Sequence, residues 1–582
     1  MKQVTVKPIH YLSIISLSFS TIAIFPLRAI AQSTPPAGVT LPPNTPGKVE
    51  QTIPQPAETP PLLPPPTSSP PVPLPIPENQ PSLELPAPSS VKLPVKTIEV
   101  LGNTVLKQEI NAEVQKFLKD HKQGTTFEEL VALRSAITQL YLNNDYVTSG
   151  AFILNNQPLS SGIIQIQVVE GEVERIDVEG LTHLQPGYIR SRLASATQVP
   201  LSRRRLETAL QLLQIDPLLQ QVNAELTAGS VPGRNILKLR LKESPPFHIG
   251  INIGNSQSPS VGSIQGNVFA SHDNVLGIGD RFNADYGRTE GLNLYSFGYT
   301  VPFNARNGTI SLSYSQNRSQ IIEDPFGDLG IRSNSRTFSV NVRQPLVRSP
   351  QTEFALSLAL DLRRSQTFLL NDMPFSFSEG PQNGLSKVTA IRFSQDWVNR
   401  GAKRVLAARS QFSLGINALG ATINDTTPDG RFFAWLGQFQ WVQQLSPRAL
   451  LVTQVAAQLT PDSLLSLERF SLGGVDTVRG YRENQLVSDN GILGSVELRV
   501  PLTYDPKVLQ LTPFVELGSG WNTRGDNPNP STIASLGLGL RWQVGTDLSL
   551  RLDYGIPLIH IDNKENSLQD NGLYFSLRYQ PL

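Results

Sequence analysis

The sequence of 582 residues contains no cysteine and only two methionines. Without cysteine the chain can form no disulfide, no iron–sulfur cluster and no thiol nucleophile. Its six histidines are scattered and lack metal-ligand spacing such as HExxH, so we expect no metal and no cofactor. Neither a GxxxxGK[ST] phosphate-binding loop nor a G-x-S-x-G nucleophile context occurs in the sequence. We therefore predict that the protein is not an enzyme and binds no nucleotide.

Charged residues are also scarce, at 17% of the chain against roughly 25% in soluble domains. The formal net charge is +1, which gives no reason to expect a nucleic-acid partner. Beyond the N-terminal segment, no apolar run is long enough for a helix that crosses a bilayer.

Residues 1–31 have the three parts of a secretory signal peptide. Lys2 and Lys7 precede an apolar stretch over 11–25, and the small residues needed for cleavage stand at 29–31, which read AIA. The apolar run is short for an uncleaved membrane anchor, which is the alternative interpretation. We therefore expect the chain to be exported.

The segment 32–94 is rich in proline and holds nearly half of the chain's 47 prolines, in runs such as PPLLPPP. Proline lacks a backbone N–H and favours extended polyproline II, so this composition predicts that no core forms here. We expect a stiff linker. A ligand for a polyproline-recognition domain is the alternative.

Two units with the order β-α-α-β-β follow, at 95–172 and 173–245. The stretch VKTIEVLGNTVL that opens the first unit returns as VERIDVEGLTHL in the second, with Gly102 matching Gly180. Such a repeat predicts two similar α/β domains. The stretch YVTSGAFILNNQPLSSGIIQIQVVEGEV resembles the first POTRA domain of haemolysin-activator-type transporters. This resemblance implies two periplasmic modules that bind unfolded polypeptide.

From 246 to 582 apolar and polar residues alternate with period two, as in FALSLALDLR and LSLRLDYG. Alternation alone would also fit a soluble sandwich. We count sixteen such segments, and the gaps between them are alternately long and short, which is typical of transmembrane barrels with outer loops and periplasmic turns. The longer gaps include 317–334, 364–385, 417–431 and 459–489. We predict a mostly β protein, with a sixteen-stranded transmembrane antiparallel β-barrel preceded by two periplasmic α/β POTRA domains.

Between the eleventh and twelfth segments the sequence reads DTVRGYR. Together with the features above, this stretch resembles the outer-membrane transporters of two-partner secretion (haemolysin secretion/activation type), which belong to the wider superfamily of barrel-assembly proteins. The resemblance covers 95–582. Its most specific element matches the VRGY motif of a family loop that folds back into the barrel, namely Val478, Arg479, Gly480 and Tyr481.

In that family the loop arginine pairs with an acidic residue of a later strand in an F-x-D-x-G pattern. This chain has FVELG, and alternation places Phe514, Glu516 and Gly518 on one face of the strand. Glu516 should therefore point into the lumen, where it stands in for the family's aspartate. The alternative partners of the arginine are its loop neighbours Asp476 and Glu483.

The resemblance implies a bacterial outer-membrane transporter in contact with lipid. Its POTRA domains would capture an unfolded exported partner, a haemagglutinin- or haemolysin-like exoprotein, and the barrel would secrete it under the control of the RGY loop. A barrel-assembly insertase of the same superfamily is the alternative. A passive porin would leave the POTRA units unexplained, and a surface enzyme lacks a catalytic constellation.

Overall fold

The structure, a computed structural model, describes residues 35, 39, 41–42, 45–52, 92–154, 157, 162–426, 428–561 and 566–581. The predicted signal peptide at 1–31 lies outside these residues and stays a prediction. Most of the predicted linker at 32–94 lies outside them as well. Among the described residues, no helix is both long enough and apolar enough to span a bilayer.

One described part of the predicted linker is helical, which corrects the expectation that this segment builds no packed structure. Helix α1 spans Thr45–Thr52. Its residue Val49 is only 2% exposed and packs in an apolar cluster with residues of the barrel loops. A helix this short is marginal in water on its own. It forms here because the barrel interior supplies its partners, which composition does not reveal.

Both α/β units have the predicted order of elements. The first consists of β1 Thr97–Leu101, α2 Lys107–Asp120, α3 Phe127–Asn143, β2 Gly150–Ile153 and β3 Ile163–Val169. The second consists of β4 Glu172–Glu179, α4 Pro186–Leu193, α5 Arg203–Gln214, β5 Leu219–Ala228 and β6 Arg234–Glu243. In each unit the last strand lies in the middle of a three-stranded sheet, parallel to the first strand and antiparallel to the other.

In each unit a carboxylate at the end of the middle strand binds the backbone just before the first helix. Glu170 accepts hydrogen bonds from the backbone N–H of Thr104 at 2.7 Å and of Val105 at 3.2 Å, just before α2. Glu243 accepts one from the backbone N–H of Thr182 at 2.7 Å, just before α4. Burial alone would raise the pKa of both carboxyls, but these hydrogen bonds outweigh it and hold each pKa below its ordinary value. The repeat therefore extends to how the chain is held where it enters a helix.

The second unit contacts the periplasmic turns of the barrel. The backbone N–H of Gln185 donates to the carbonyl of Gly277 at 2.8 Å, and Arg192 donates to the amide oxygen of Asn307 at 2.6 Å. The ring of Tyr188 lies against Gly279, where an added Cβ would stand 2.3 Å from a ring carbon. These contacts place the unit at the periplasmic mouth of the barrel.

The barrel is closed and antiparallel, with sixteen long strands, as predicted. They are β7 Phe247–Gly254, β8 Gln265–Asp273, β9 Arg281–Arg288, β10 Leu292–Pro302, β11 Thr309–Gln320, β12 Arg332–Arg348, β13 Thr352–Leu369, β15 Leu385–Arg400, β16 Arg404–Gly415, β17 Phe432–Ser446, β18 Ala449–Leu459, β21 Asn490–Pro501, β22 Leu509–Trp521, β23 Thr532–Val544, β24 Leu548–Pro557 and β25 Leu573–Tyr579. Three short strands accompany them, β14 Met373–Pro374, β19 Phe470–Leu472 and β20 Leu486–Ser488. Pairing of β25 with β7 closes the sheet.

The two faces of the barrel follow the predicted alternation. On β22 the outward Val515 is 59% exposed and the outward Leu517 is 53% exposed, whereas the inward Glu516 between them is 4% exposed. The long connections lie at one end of the barrel. Four of them, as bounded by the flanking strands, are 321–331, 370–384, 416–431 and 460–489. Three of these gaps are shorter than predicted because the flanking strands extend further, and 416–431 is one residue longer.

Candidate functional site

The connection between β18 and β21, residues 460–489, folds into the barrel as a hairpin, and we call it the lumen loop. Within it β19 pairs antiparallel with β20. Apolar side chains of the loop pack against inward-facing residues of the wall. The buried cluster consists of Leu436, Ala456, Phe470, Leu472, Val478, Tyr481, Leu486, Leu493 and Ile533. The loop thus shares a packed core with the barrel interior.

Arg479, near the tip of the lumen loop, binds the wall residue Glu516. The guanidinium donates to one carboxylate oxygen from Nε at 2.9 Å and from Nη2 at 2.5 Å. The backbone N–H of Arg479 donates to the other oxygen at 2.7 Å. Glu516 therefore holds both the side chain and the main chain of the loop residue, through hydrogen bonds that charge makes stronger. The structure places the arginine against the wall rather than against its loop neighbours.

Two further wall carboxylates bind the same guanidinium. Nη1 of Arg479 donates to Asp553 at 2.9 Å and to Glu497 at 3.1 Å. The ring of Phe514 lies 3.4 Å from the central carbon of the guanidinium, a cation–π contact. Alternation puts Asp553 on the polar face of its strand. That it meets Arg479 depends on how strands far apart in sequence close the barrel, so sequence reasoning did not find it.

Wall arginines also bind two of these carboxylates. Glu497 accepts from Arg499 at 2.9 Å and from Arg541 at 3.2 Å, and Asp553 accepts from Arg551. Both carboxylates therefore keep a cation if the loop arginine leaves. Loss of the loop contact therefore leaves these ion pairs of the wall in place.

The next two residues of the motif bind parts of the barrel other than those that hold Arg479. The N–H of Gly480 donates to the hydroxyl of Tyr574 at 2.9 Å. The hydroxyl of Tyr481 donates to the carbonyl of Ala534 at 2.8 Å and accepts from the N–H of Ile559 at 3.1 Å. The loop tip is thus fixed to β23, to β25 and to the connection after β24.

Val478 and Gly518 fit together where the loop meets β22. Val478 is fully buried. A Cβ added at Gly518 would lie 3.1 Å from a methyl carbon of Val478 and 3.0 Å from Leu472. Glycine at this position therefore gives the loop room to approach the strand. Phe514, Glu516 and Gly518 face the lumen together.

The second arginine of the DTVRGYR stretch, Arg482, binds residues of two outer loops. It donates to Asp570 at 2.6 Å and to Glu323 at 2.6 Å. The other oxygen of Glu323 accepts a hydrogen bond from Lys48 of α1 at 2.6 Å. The carboxylate of Glu323 therefore joins the N-terminal helix to the lumen loop. Sequence reasoning singled out neither of these acidic residues.

Helix α1 also contacts the first leg of the lumen loop. Glu50 accepts hydrogen bonds from Arg469 at 2.8 Å and from the hydroxyl of Ser466 at 3.0 Å. The apolar side of α1, through Val49, packs with outer-loop residues that include Phe375 and Leu465. Helix α1 is thus bound to the lumen loop by both polar and apolar contacts.

A cavity of about 640 Å³ lies on the periplasmic side of the loop tip. Its lining is mixed. Polar or charged residues there include Asn252, Asn267, Asp285, Asp476, Gln510, Arg541 and Arg578, and apolar ones are Phe269, Val475, Trp542, Leu550 and Phe575.

The fold and the anchored loop define a class of protein, an outer-membrane barrel with periplasmic POTRA domains. The chain belongs to the haemolysin secretion/activation protein family ShlB/FhaC/HecB, whose model matches residues 233–542, and a ShlB-type POTRA model matches 93–171. Members are two-partner secretion transporters of the outer membrane, with the POTRA domains in the periplasm. The predicted family, fold and location are thereby confirmed.

Similar proteins include the outer membrane transporter CdiB of Escherichia coli, 26% identical over 80% of this chain and 79% of its own. The heme/hemopexin transporter protein HuxB of Haemophilus influenzae is 22% identical over 84% of this chain and 87% of its own. The solved structure of CdiB from Escherichia coli matches with a TM-score of 0.64 at 23% identity, covering 86% of this chain and 93% of that one. This structural match shows the shared fold.

Proposed function

We propose that the POTRA domains capture an unfolded exported protein and that the barrel secretes it when the lumen loop gives way. The observation that carries the proposal is Arg479, which is 2% exposed and bound to carboxylates from three wall strands. A loop fastened in this manner obstructs the lumen. Passage of a polypeptide then requires that the loop be displaced.

The chemistry of the anchor suits a contact that forms and breaks. The attraction between buried charges is offset by the cost of removing them from water, so the net contribution of such a pair is small. Water entering the lumen during transport would weaken the attraction further. Wall arginines that already bind Glu497 and Asp553 lower the cost of releasing Arg479.

The sheet order of the POTRA domains supports the proposed capture. In each unit the middle strand is flanked by two edge strands, β1 and β2 in the first and β4 and β5 in the second. An edge strand offers backbone groups to which an extended segment can add as a further strand. We propose this mode for the partner, a haemagglutinin- or haemolysin-like exoprotein, with release into the cavity below the loop tip.

We propose that transport needs no catalysis, no nucleotide and no nucleic acid. Folding of the partner outside the cell would pull the chain outward. The insertase alternative is disfavoured because the matching family model is that of secretion proteins. Comparing culture medium from cells with and without this chain identifies the partner as the exoprotein that disappears.

Arg479→Ala is expected to lower secretion, because the loop must return to its anchored position after each displacement, and hydrogen bonds to charged groups, about 1.5–3 kcal/mol each, direct it there. Glu516→Ala should have a similar effect, and the double variant should be little worse than either, since the two residues form one contact. Glu516→Asp, which keeps the charge, should retain most secretion. The measurement is the ratio of partner in the medium to partner in the periplasm.

The comparison is Asp476→Ala on the same loop, which should lower secretion less than Arg479→Ala does, because the carboxylates that bind Arg479 belong to the wall. Resistance of the barrel to unfolding in detergent, seen as a gel shift on heating, reports whether each variant is folded. Normal secretion by Glu516→Ala alongside failure of Arg479→Ala would show that this pairing is not the one that matters.

A further inference from the structure

A second buried charge cluster holds the first leg of the lumen loop. Glu468 ends a short helical turn, Ser466–Glu468, and its side chain is 2% exposed. Arg363 donates to its carboxylate at 3.1 Å, and Arg392 donates to its two oxygens at 2.8 and 2.9 Å. Arg363 also binds the carbonyl of Leu467. Two wall arginines therefore grip both the side chain and the main chain of the loop.

Wall residues also bind Arg392, independently of the loop. Arg392 donates to Asp361 at 2.6 Å and to the hydroxyl of Ser413 at 2.8 Å. Arg392 and Ser413 are direct partners in the pairing of β15 with β16. With Glu468 in place, its carboxylate and that of Asp361 face the two guanidinium groups.

This cluster lies on a different part of the wall from the site of Arg479. Arg363 and Arg392 are on β13 and β15, the seventh and eighth long strands, whereas the carboxylates that bind Arg479 are on β21, β22 and β24, the twelfth, thirteenth and fifteenth. The polarity is also reversed. At one site a loop cation meets wall carboxylates, and at the other a loop anion meets wall arginines. The loop therefore joins two separate parts of the wall.

We propose that Glu468 is a second, independent anchor of the lumen loop and that the lumen opens only when both anchors release. The proposal rests on the proposed function, in which the loop leaves the lumen during transport. The two clusters share no residue, so their contributions to holding the loop should add as free energies. Weakening both should therefore multiply the frequency of opening.

The test records openings of the full-length protein in planar lipid bilayers. Glu468→Gln should raise the frequency of large conductance steps about tenfold, because the charge-assisted hydrogen bonds to both arginines are weakened. Glu468→Asp, which keeps the charge, should lie closer to the unmodified chain. Asp396→Asn is the matched control, since it removes one carboxylate charge from a lumen pair with Arg409 at 2.7 Å, and it should leave the frequency unchanged.

Combinations distinguish an anchor from a general structural role. Glu468→Gln with Arg479→Gln should open with a frequency near the product of the two single increases. Glu468→Gln with Arg392→Gln should be little different from Glu468→Gln alone. Opening at the unmodified frequency in Glu468→Gln overturns the proposal, and so does a double variant with Arg479→Gln that opens no more often than Arg479→Gln alone.

The result for Arg479→Gln alone judges the proposed function separately. If that variant opens at the unmodified frequency while Glu468→Gln opens more often, the proposal that Arg479 anchors the loop is wrong. The proposal that Glu468 anchors it is then retained. Should Glu468→Gln fail to give the folded, heat-modifiable barrel, Arg363→Gln replaces it. This variant leaves Arg392 on the carboxylate, and the same two outcomes decide the proposal.

Discussion

At Gly480 the backbone has φ +97°, a conformation that side chains disfavour, and an added Cβ would lie 3.1 Å from the carbonyl group of Gly555. Gly480→Ala is therefore expected to destabilise the docked loop by roughly 1 kcal/mol or more. Openings in planar bilayers should become more frequent. Gly494→Ala is the control, because an added Cβ there meets nothing within 4 Å. Equal opening frequencies in the two variants would contradict the close fit of the loop tip.

The sequence predicted the orientation of some lumen residues but not the contacts of others. Strand alternation was enough to point Glu516 into the lumen, because side-chain direction depends only on position along the strand. Glu497, Glu468 and Tyr574 were missed, since their importance lies in contacts made across the lumen. Such contacts depend on how the whole barrel brings distant segments together, which a local pattern does not encode.

Among the elements, the segments that lead into α2 and α4 are held by a carboxylate from the middle strand of each POTRA unit. Glu170→Gln is expected to destabilise the first unit by about 1 kcal/mol, because the backbone hydrogen bonds to the carboxylate are weakened. Hydrogen exchange of 107–120, followed by mass spectrometry on the full chain, measures this. Glu243→Gln should instead affect 186–193. Equal loss of protection in both units from either variant would show that the carboxylates do not act locally.

The same carboxylates predict a dependence on pH. The folded pKa of Glu170 lies below its ordinary value of 4.5. Its contribution to stability is therefore complete above pH 4.5 and is lost as the pH falls through the lowered folded pKa. Protection of 107–120 should decrease over that acid range in the unmodified chain and decrease less in Glu170→Gln. An identical pH response in both proteins would refute this role.

Helix α1 shows why one element escaped prediction. Its segment is rich in proline and has a weak helical pattern, so composition indicated a linker. The helix is held by Glu323 and Arg469, which belong to loops far along the chain. An element stabilised by tertiary partners leaves little trace in its own sequence. The barrel strands, in contrast, carry their two-faced environment in every second residue.

For the molecule as a whole, the even strand number puts the POTRA domains and the C-terminus on the same, periplasmic side. An epitope inserted at Asp372, whose side chain is 96% exposed in an outer loop, should bind antibody on intact cells. An epitope at Gly545, in the turn between β23 and β24, should bind only after the outer membrane is permeabilised. Labelling at Gly545 on intact cells would show that the orientation is the opposite of the predicted one.

If the lumen loop must move for a polypeptide to pass, a disulfide between loop and wall should stop secretion. A Cβ at Gly518 would lie 3.1 Å from a methyl carbon of Val478, the position that the sulfur takes in Val478→Cys, and a disulfide requires such proximity. The chain has no cysteine of its own to interfere. Val478→Cys with Gly518→Cys should therefore link in the oxidising periplasm.

The measurement is secretion of the partner by this double variant, with and without a membrane-permeant reductant, beside the two single-cysteine chains. We predict that the oxidised double variant retains the partner in the periplasm and that reduction restores its release to the level of the single variants. Equal secretion by the linked and reduced forms would show that the polypeptide passes while the loop stays in the lumen, so displacement of the loop would not be required.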